Sequence, residues 1–236
     1  MGTAALPSFS EQVAKGNYDD LKRTISFSMR LILFITVPAM IAIIALREPI
    51  ISVLFQRGQF NATSTILTAQ ALFFYAVGLW AFSVIRVVVS AFYALQDAKS
   101  PMKAAIVALI VNLAVSVAFM FPLQHGGLAL ATSVASAVNL IMLAVILKKR
   151  IGNYLDPVFY SSLGKIVFSS LVMWGVIALI DYFMPWNVAA PFRDRLVFLS
   201  ACVVIGMAVF FMMSYLLKSP EIVSLTASLK RRLKGR

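Results

Sequence analysis

The chain has 236 residues, 61% of them hydrophobic and 13% charged, with a mean hydropathy of +0.91. No water-soluble domain of that length buries so much apolar surface, so the composition excludes a soluble globular protein and requires a polytopic membrane protein. The net charge of +12 would suit nucleic acid, but in a membrane protein charge is sorted by topology first. The single cysteine, Cys202, excludes an internal disulfide and reads as an inert small hydrophobe. No cysteine–histidine cluster is at hand for a metal.

The N-terminal sequence MGTAALPSFSEQ lacks the basic-then-apolar layout of a signal peptide, and the chain is expected to begin partway through something larger. Residues 1–26 are polar and read as an amphipathic surface segment. The first span is predicted from about Phe27 to Leu46, with Pro38 at its middle, where a proline removes one backbone hydrogen bond and kinks the helix. Ile50 to Phe55 is too short to cross and suits an interfacial segment. Asn61-Ala62-Thr63 matches a glycosylation acceptor, a three-residue pattern that chance supplies readily.

The second span lies in the stretch from Leu67 to Lys103 and holds one ionisable group, Arg86, deep in an apolar run. A cation there costs roughly 2.5–3.5 kcal/mol on insertion scales, so it must face protein, water or headgroups. Two readings stand side by side: a side chain that snorkels to the interface, or one that lines a cavity. The third span is predicted from about Ala104 to Phe121, ending at Pro122, and a tight turn through His125, Gly126 and Gly127 leads to the fourth, about Leu128 to Leu147. His125 reads as a solvated loop residue. Asn112 and Ser116 share one face of the third span, and Thr132 and Ser136 one face of the fourth. Such residues either let membrane helices pack closely or form a polar ion or substrate site between them.

Lys148-Lys149-Arg150 closes the fourth span and begins a loop over 148–160. A fifth span follows from about Ser162 to Met184 and a sixth from Leu196 to Leu217, then a basic tail over 218–236. With six spans both ends share one side. That side holds Lys15, Lys22, Arg23, Arg30, Lys99, Lys103, Lys148, Lys149, Arg150, Lys165, Lys218 and the tail cations, against Arg47, Arg57, Arg193 and Arg195 on the other. The asymmetry predicts both termini in the cytoplasm, with the charge against the anionic inner leaflet, and removes the need for a nucleic-acid partner. The acidic residues lie in loops or at span ends, and the chain has no Ser/His/Asp set, paired carboxylates or phosphate-cradling glycine loop. An enzyme is therefore not expected. Transport remains, with a membrane scaffold as the rival.

Four stretches carry a family resemblance: ALPSFSEQVAKGNYDDLKR at 4–23, PIISVLFQRGQF at 49–60, FYALQDAKSPMKAAI at 92–106 and HGGLALATS at 125–133. They resemble the C-terminal half of the MurJ (MviN) lipid II flippases, of the multidrug/oligosaccharidyl-lipid/polysaccharide exporter superfamily. The last two spans match only by position and hydropathy. The resemblance implies an all-α polytopic membrane protein whose six transmembrane helices correspond to helices nine to fourteen of fourteen. Residues 27–147 would supply four helices of the second lobe and 161–217 two additional helices. The first lobe, and with it most of the family's cationic cavity, would come from an N-terminal half as partner. Arg86 becomes the candidate cavity residue. Asn112 and Thr132 look like matches to side chains that bind sodium in some members, with Ser116 where those members carry an acidic residue. No other cofactor is implied. The expected function is translocation of lipid II, the undecaprenyl-pyrophosphate-linked precursor, across the bacterial inner membrane by alternating access. A drug or polysaccharide-lipid exporter is the nearest alternative.

Overall fold

The computed structural model describes residues 6–123 and 125–222. Among these residues it contains nine helices and no strand: α1 (Leu6–Ala14), α2 (Tyr18–Ala45), α3 (Arg47–Phe55), α4 (Ala62–Val77), α5 (Leu79–Ala94), α6 (Lys99–Leu123), α7 (His125–Ile151), α8 (Pro157–Phe183) and α9 (Phe192–Leu216). With α4 and α5 taken together as Ala62–Ala94, six helices are long and apolar enough to cross a membrane. The chain is a multi-pass, all-α membrane protein.

The spans run further into polar sequence than hydropathy predicts, because capping and packing extend a helix past its apolar core. Asn17 caps α2 by accepting from the Asp20 N–H, and Asp19 and Asp20 sit in the first turn, where carboxylates complement the helix dipole. The described part of the predicted polar segment 1–26, residues 6–26, therefore holds α1 and the first turns of α2. Asp156 caps α8 through the Phe159 N–H at 2.9 Å, with Pro157 at the first helical position. The connection predicted over 148–160 shrinks to 152–156. Ser26 of α2 also donates to Asp156 at 3.0 Å, which ties that connection to the first span.

Two expectations are corrected. The turn predicted at His125–Gly127 is the first turn of α7, with His125 exposed as its first residue. The reason is space: a Cβ on Gly127 would lie 2.6 Å from the backbone carbon of Phe119, so the glycine lets α6 and α7 meet backbone to backbone. The third span continues to Leu123, with Pro122 inside its last turn. Asn61, the nominal glycosylation acceptor, caps α4 through the Ser64 N–H at 2.9 Å.

The core is a seam of α2, α5 and α7, closed by α8. It includes Leu21, Ile25, Phe34, Val84, Val87, Val88, Phe92, Leu143 and Leu147, all fully or nearly fully buried. α6 packs chiefly on α7 and leaves Leu109, Leu113 and Phe121 more than 60% exposed, a surface that suits lipid or further protein. The nine-residue α3 packs on α4 and α9. Arg195 of α9 fixes it by donating to Ser52 at 2.8 Å and Gln56 at 2.9 Å.

Candidate substrate face and polar pair

Arg86 sits eight residues before the end of α5, about 12 Å along the helix axis. Its neighbours Val84, Val87, Val88 and Ala91 are buried against the other helices, whereas Arg86 and Tyr93 are exposed on the opposite side. Spacing fixes this outcome, since residues three and four apart share a face and the valines claim the inner one. The Ser90 hydroxyl donates to the Arg86 backbone oxygen at 2.9 Å. Among the described residues the Arg86 guanidinium makes no ion pair. It is thus a cation in a membrane-length helix, aimed away from the helices the structure describes.

Asn112 and Thr132 do meet: the Asn112 Nδ2 donates to the Thr132 hydroxyl at 3.5 Å, at the limit of a hydrogen bond. Thr132 in turn donates to the Leu128 carbonyl at 2.9 Å, so its oxygen faces Asn112 as an acceptor. Ser116, one turn on from Asn112, is half-buried and makes no hydrogen bond to either partner among the described residues. α6 and α7 contain no carboxylate, and neutral amide and hydroxyl oxygens supply dipoles without the charge that offsets a cation's lost hydration. The Asn112–Thr132 bond serves equally as a tie between two packed helices. No hydrogen bond joins this pair to Arg86 among the described residues.

Sequence reasoning missed three polar clusters between distant segments, the first two of them at the basic end of the bundle. The first joins Arg30 of α2, Ser162 of α8 and Glu221 after α9. Glu221, 1% exposed, accepts from the Ser162 hydroxyl at 2.6 Å, and the Arg30 Nε lies 3.8 Å from it. Arg30 had counted only as one more cation on that side, and a partner 191 residues away leaves no local signal. The last residues of the basic tail, 223–236, lie outside the described ones.

The second cluster centres on Asp97, between α5 and α6. It caps α6, accepting from the Ser100 hydroxyl at 2.7 Å and the Ser100 N–H at 3.0 Å, and meets the Arg150 guanidinium of α7 at 2.9 Å. The Ser100 bonds, helped by Arg150 and opposed by burial, hold its carboxyl below the usual carboxylate range. A folded-state pKa below the unfolded value of about 3.9 gives stabilisation that is complete above about pH 5 and is lost as pH falls through the folded value. Asp97→Asn is therefore expected to lower stability at pH 7 by on the order of 1 kcal/mol and to flatten the acid side of the pH profile. Unfolding in detergent followed from pH 7 to pH 3 checks both; an unchanged acid limb in the variant contradicts them.

The third cluster joins α4 to α7: the Ser133 hydroxyl donates to the Phe74 backbone oxygen at 2.5 Å.

These features define the class: a helical bundle with an intramembrane cation on an open face, as in one part of a multi-helix membrane transporter. Comparison with known proteins gives the family. A family model described as lipid II flippase MurJ matches residues 1–196. A probable lipid II flippase MurJ of Rhizobium tropici is 31% identical over 236 residues, covering 98% of this chain and 44% of the relative. The lipid II flippase MurJ of Burkholderia cenocepacia is 28% identical, with 92% and 42% covered. Among solved structures, a lipid II flippase MurJ in an inward closed conformation superposes with a TM-score of 0.72 at 23% identity, covering 94% of this chain and 43% of that one, which speaks to the fold. The chain belongs to the lipid II flippase MurJ family. It spans less than half the length of the curated relatives it matches.

Proposed function

We propose that this chain forms the second, C-terminal part of a lipid II flippase and acts together with a first lobe that supplies the rest of the cavity. The observation that carries this reading is Arg86, a cation within a membrane-length helix on the face that the described helices leave open. A guanidinium there offers paired donors to a pyrophosphate, and away from bulk water that attraction is strengthened. Headgroup passage past α5, with the polyprenyl chain remaining in lipid, requires no bond to be made or broken. No catalytic chemistry is proposed, nor any step through a bound sodium ion.

The setting follows from charge. The basic end, with Lys22, Lys99, Lys103, Lys148, Lys149 and Lys218, would lie in the bacterial cytoplasm against anionic lipid, in the inner membrane. Cysteines placed at Asn61 and Asn187 in a Cys202→Ala background should then react with an impermeant maleimide added outside, whereas one at Asn153 should not. The reverse pattern overturns the orientation.

A hybrid tests the function: residues 1–236 replace the matching part of the Rhizobium tropici relative, in a strain depleted of its own flippase. The reading predicts sustained growth from the hybrid. A hybrid that inserts at normal abundance and gives no growth contradicts it.

A further inference from the structure

The second span is interrupted once, at Gly78, between α4 and α5. The Gly78 N–H donates to the Tyr75 carbonyl three residues back, at 3.1 Å, in a tightened turn. The regular α-helical acceptor would be Phe74, four residues back. The Phe74 oxygen instead accepts from the Ser133 hydroxyl of α7. Ser133 is the exception among its neighbours: Thr132 donates to Leu128, and Ser136 to Thr132, each four residues back along the same helix. An intrahelical acceptor of that kind, the Ala129 carbonyl, is open to Ser133 as well.

We propose that Gly78 is a two-position hinge and that the Ser133–Phe74 bond latches it in the position with the tightened turn. In the other position, a regular α-helical turn, Gly78 donates to Phe74 and Ser133 to Ala129, so each of the two donors keeps an acceptor in both positions. With nothing lost from the hydrogen-bond count, the two positions differ little, which is the condition for an element that other events can bias. Gly78 is also the residue that permits the latched position. A Cβ there would lie 2.5 Å from the Ser133 Oγ and 2.9 Å from its Cα, so α7 approaches the α4–α5 junction only because the site is bare. Gly126 serves similarly, since a Cβ on it would lie 2.9 Å from the Phe74 ring. The two arms pack differently: α5 lies against α1, α2 and α7, whereas α4 lies against α2, α3 and α7. Release of the latch would swing α4, and with it α3, while α5 stays in the seam and keeps Arg86 on its open face. The inference goes beyond the flippase reading, because it concerns one span of this chain and its test measures no transport.

The test is a distance in the purified 236-residue chain in lipid nanodiscs, in a Cys202→Ala background. Nitroxide labels sit at Thr63, at the start of α4, and at Tyr182, near the end of α8; both are exposed. An arm of 16 residues is about 24 Å long, so a change of bend of about 20° moves its outer end by about 8 Å. Ser133→Ala leaves the Phe74 oxygen without its partner in the latched position alone, since in the other position Gly78 supplies one, and should shift or split the distance distribution by about 5 Å or more. Ser133→Thr keeps a hydroxyl and should keep the original distribution. Gly78→Ala, whose Cβ displaces Ser133, should shift it in the same direction as Ser133→Ala. Helical content and monodispersity are checked for each. A Ser133→Ala or Gly78→Ala protein with the unchanged distribution overturns the hinge, as does a Ser133→Thr protein that shifts as far as Ser133→Ala.

Discussion

Glu221→Ala is expected to lower the stability of the folded chain by about 3 kcal/mol, the lower end of the range for breaking a buried ion pair. The carboxylate is 1% exposed and the Arg30 side chain 12% exposed, so removing Glu221 strands a guanidinium in a site that water barely reaches. It also takes the acceptor from the Ser162 hydroxyl. The 3.8 Å separation of the charges keeps the figure at the lower end. The loss comes from the desolvated charge left behind and not from a strong attraction, so replacing both partners by Met should recover part of it. Unfolding in mixed micelles by added SDS measures all three proteins. A Glu221→Ala change below about 0.5 kcal/mol, or a double variant worse than either single one, contradicts the assignment.

Gly127→Ala should cost about 2 kcal/mol, for a different reason. The added methyl would meet the carbonyl carbon of Phe119 at 2.6 Å, with the carbonyl oxygen closer still. These are backbone atoms in the middle of a helical turn and cannot rotate aside, so α6 and α7 must separate at this end. Overpacking of that kind costs about 3 kcal/mol, against a gain of about 1 kcal/mol from replacing glycine in a helix. Gly175 of α8 is the control, because a Cβ there meets nothing within 4 Å. Gly175→Ala should be neutral or stabilising by up to about 1 kcal/mol. Equal effects at the two sites would show that propensity, and not the close approach of α6 to α7, decides the outcome.

What the sequence made legible follows from how the bilayer acts on a chain. A long apolar run has few alternatives to a membrane-spanning helix, so six spans could be counted without coordinates. Their ends were placed short because hydropathy is silent about caps such as Asn17 and Asp156, which carry α2 and α8 into polar sequence. Gly126 and Gly127 looked like a turn because glycine marks turns in soluble proteins, whereas here the missing side chains let two helices touch. Arg86 could be singled out because a charge in an apolar run is conspicuous, and Asn112 and Thr132 because polar side chains at helical spacing stand out in two apolar spans, with the resemblance pointing the same way; the structure brings those two together at 3.5 Å. The ties between distant segments left no trace in spacing. Nothing local in the sequence marks Arg30 as a neighbour of Glu221, Asp97 of Arg150, or the Phe74 carbonyl of Ser133. Backbone acceptors in particular are invisible to side-chain patterns, which is why the interruption at Gly78 became visible only in three dimensions.

The central claim, that this half contributes a cationic wall to lipid II passage, rests on Arg86. Its most direct measurement is lipid II translocation by the hybrid carrying Arg, Lys or Ala at position 86, read together with membrane abundance. A cavity role predicts normal abundance for all three proteins, translocation lost in the Ala hybrid and kept in part by Lys, which retains the charge but not the paired donors. A side chain that merely reaches the interface predicts the opposite, since removing a costly charge from the membrane should leave the protein unharmed or slightly more stable. Full translocation by the Ala hybrid would contradict the account.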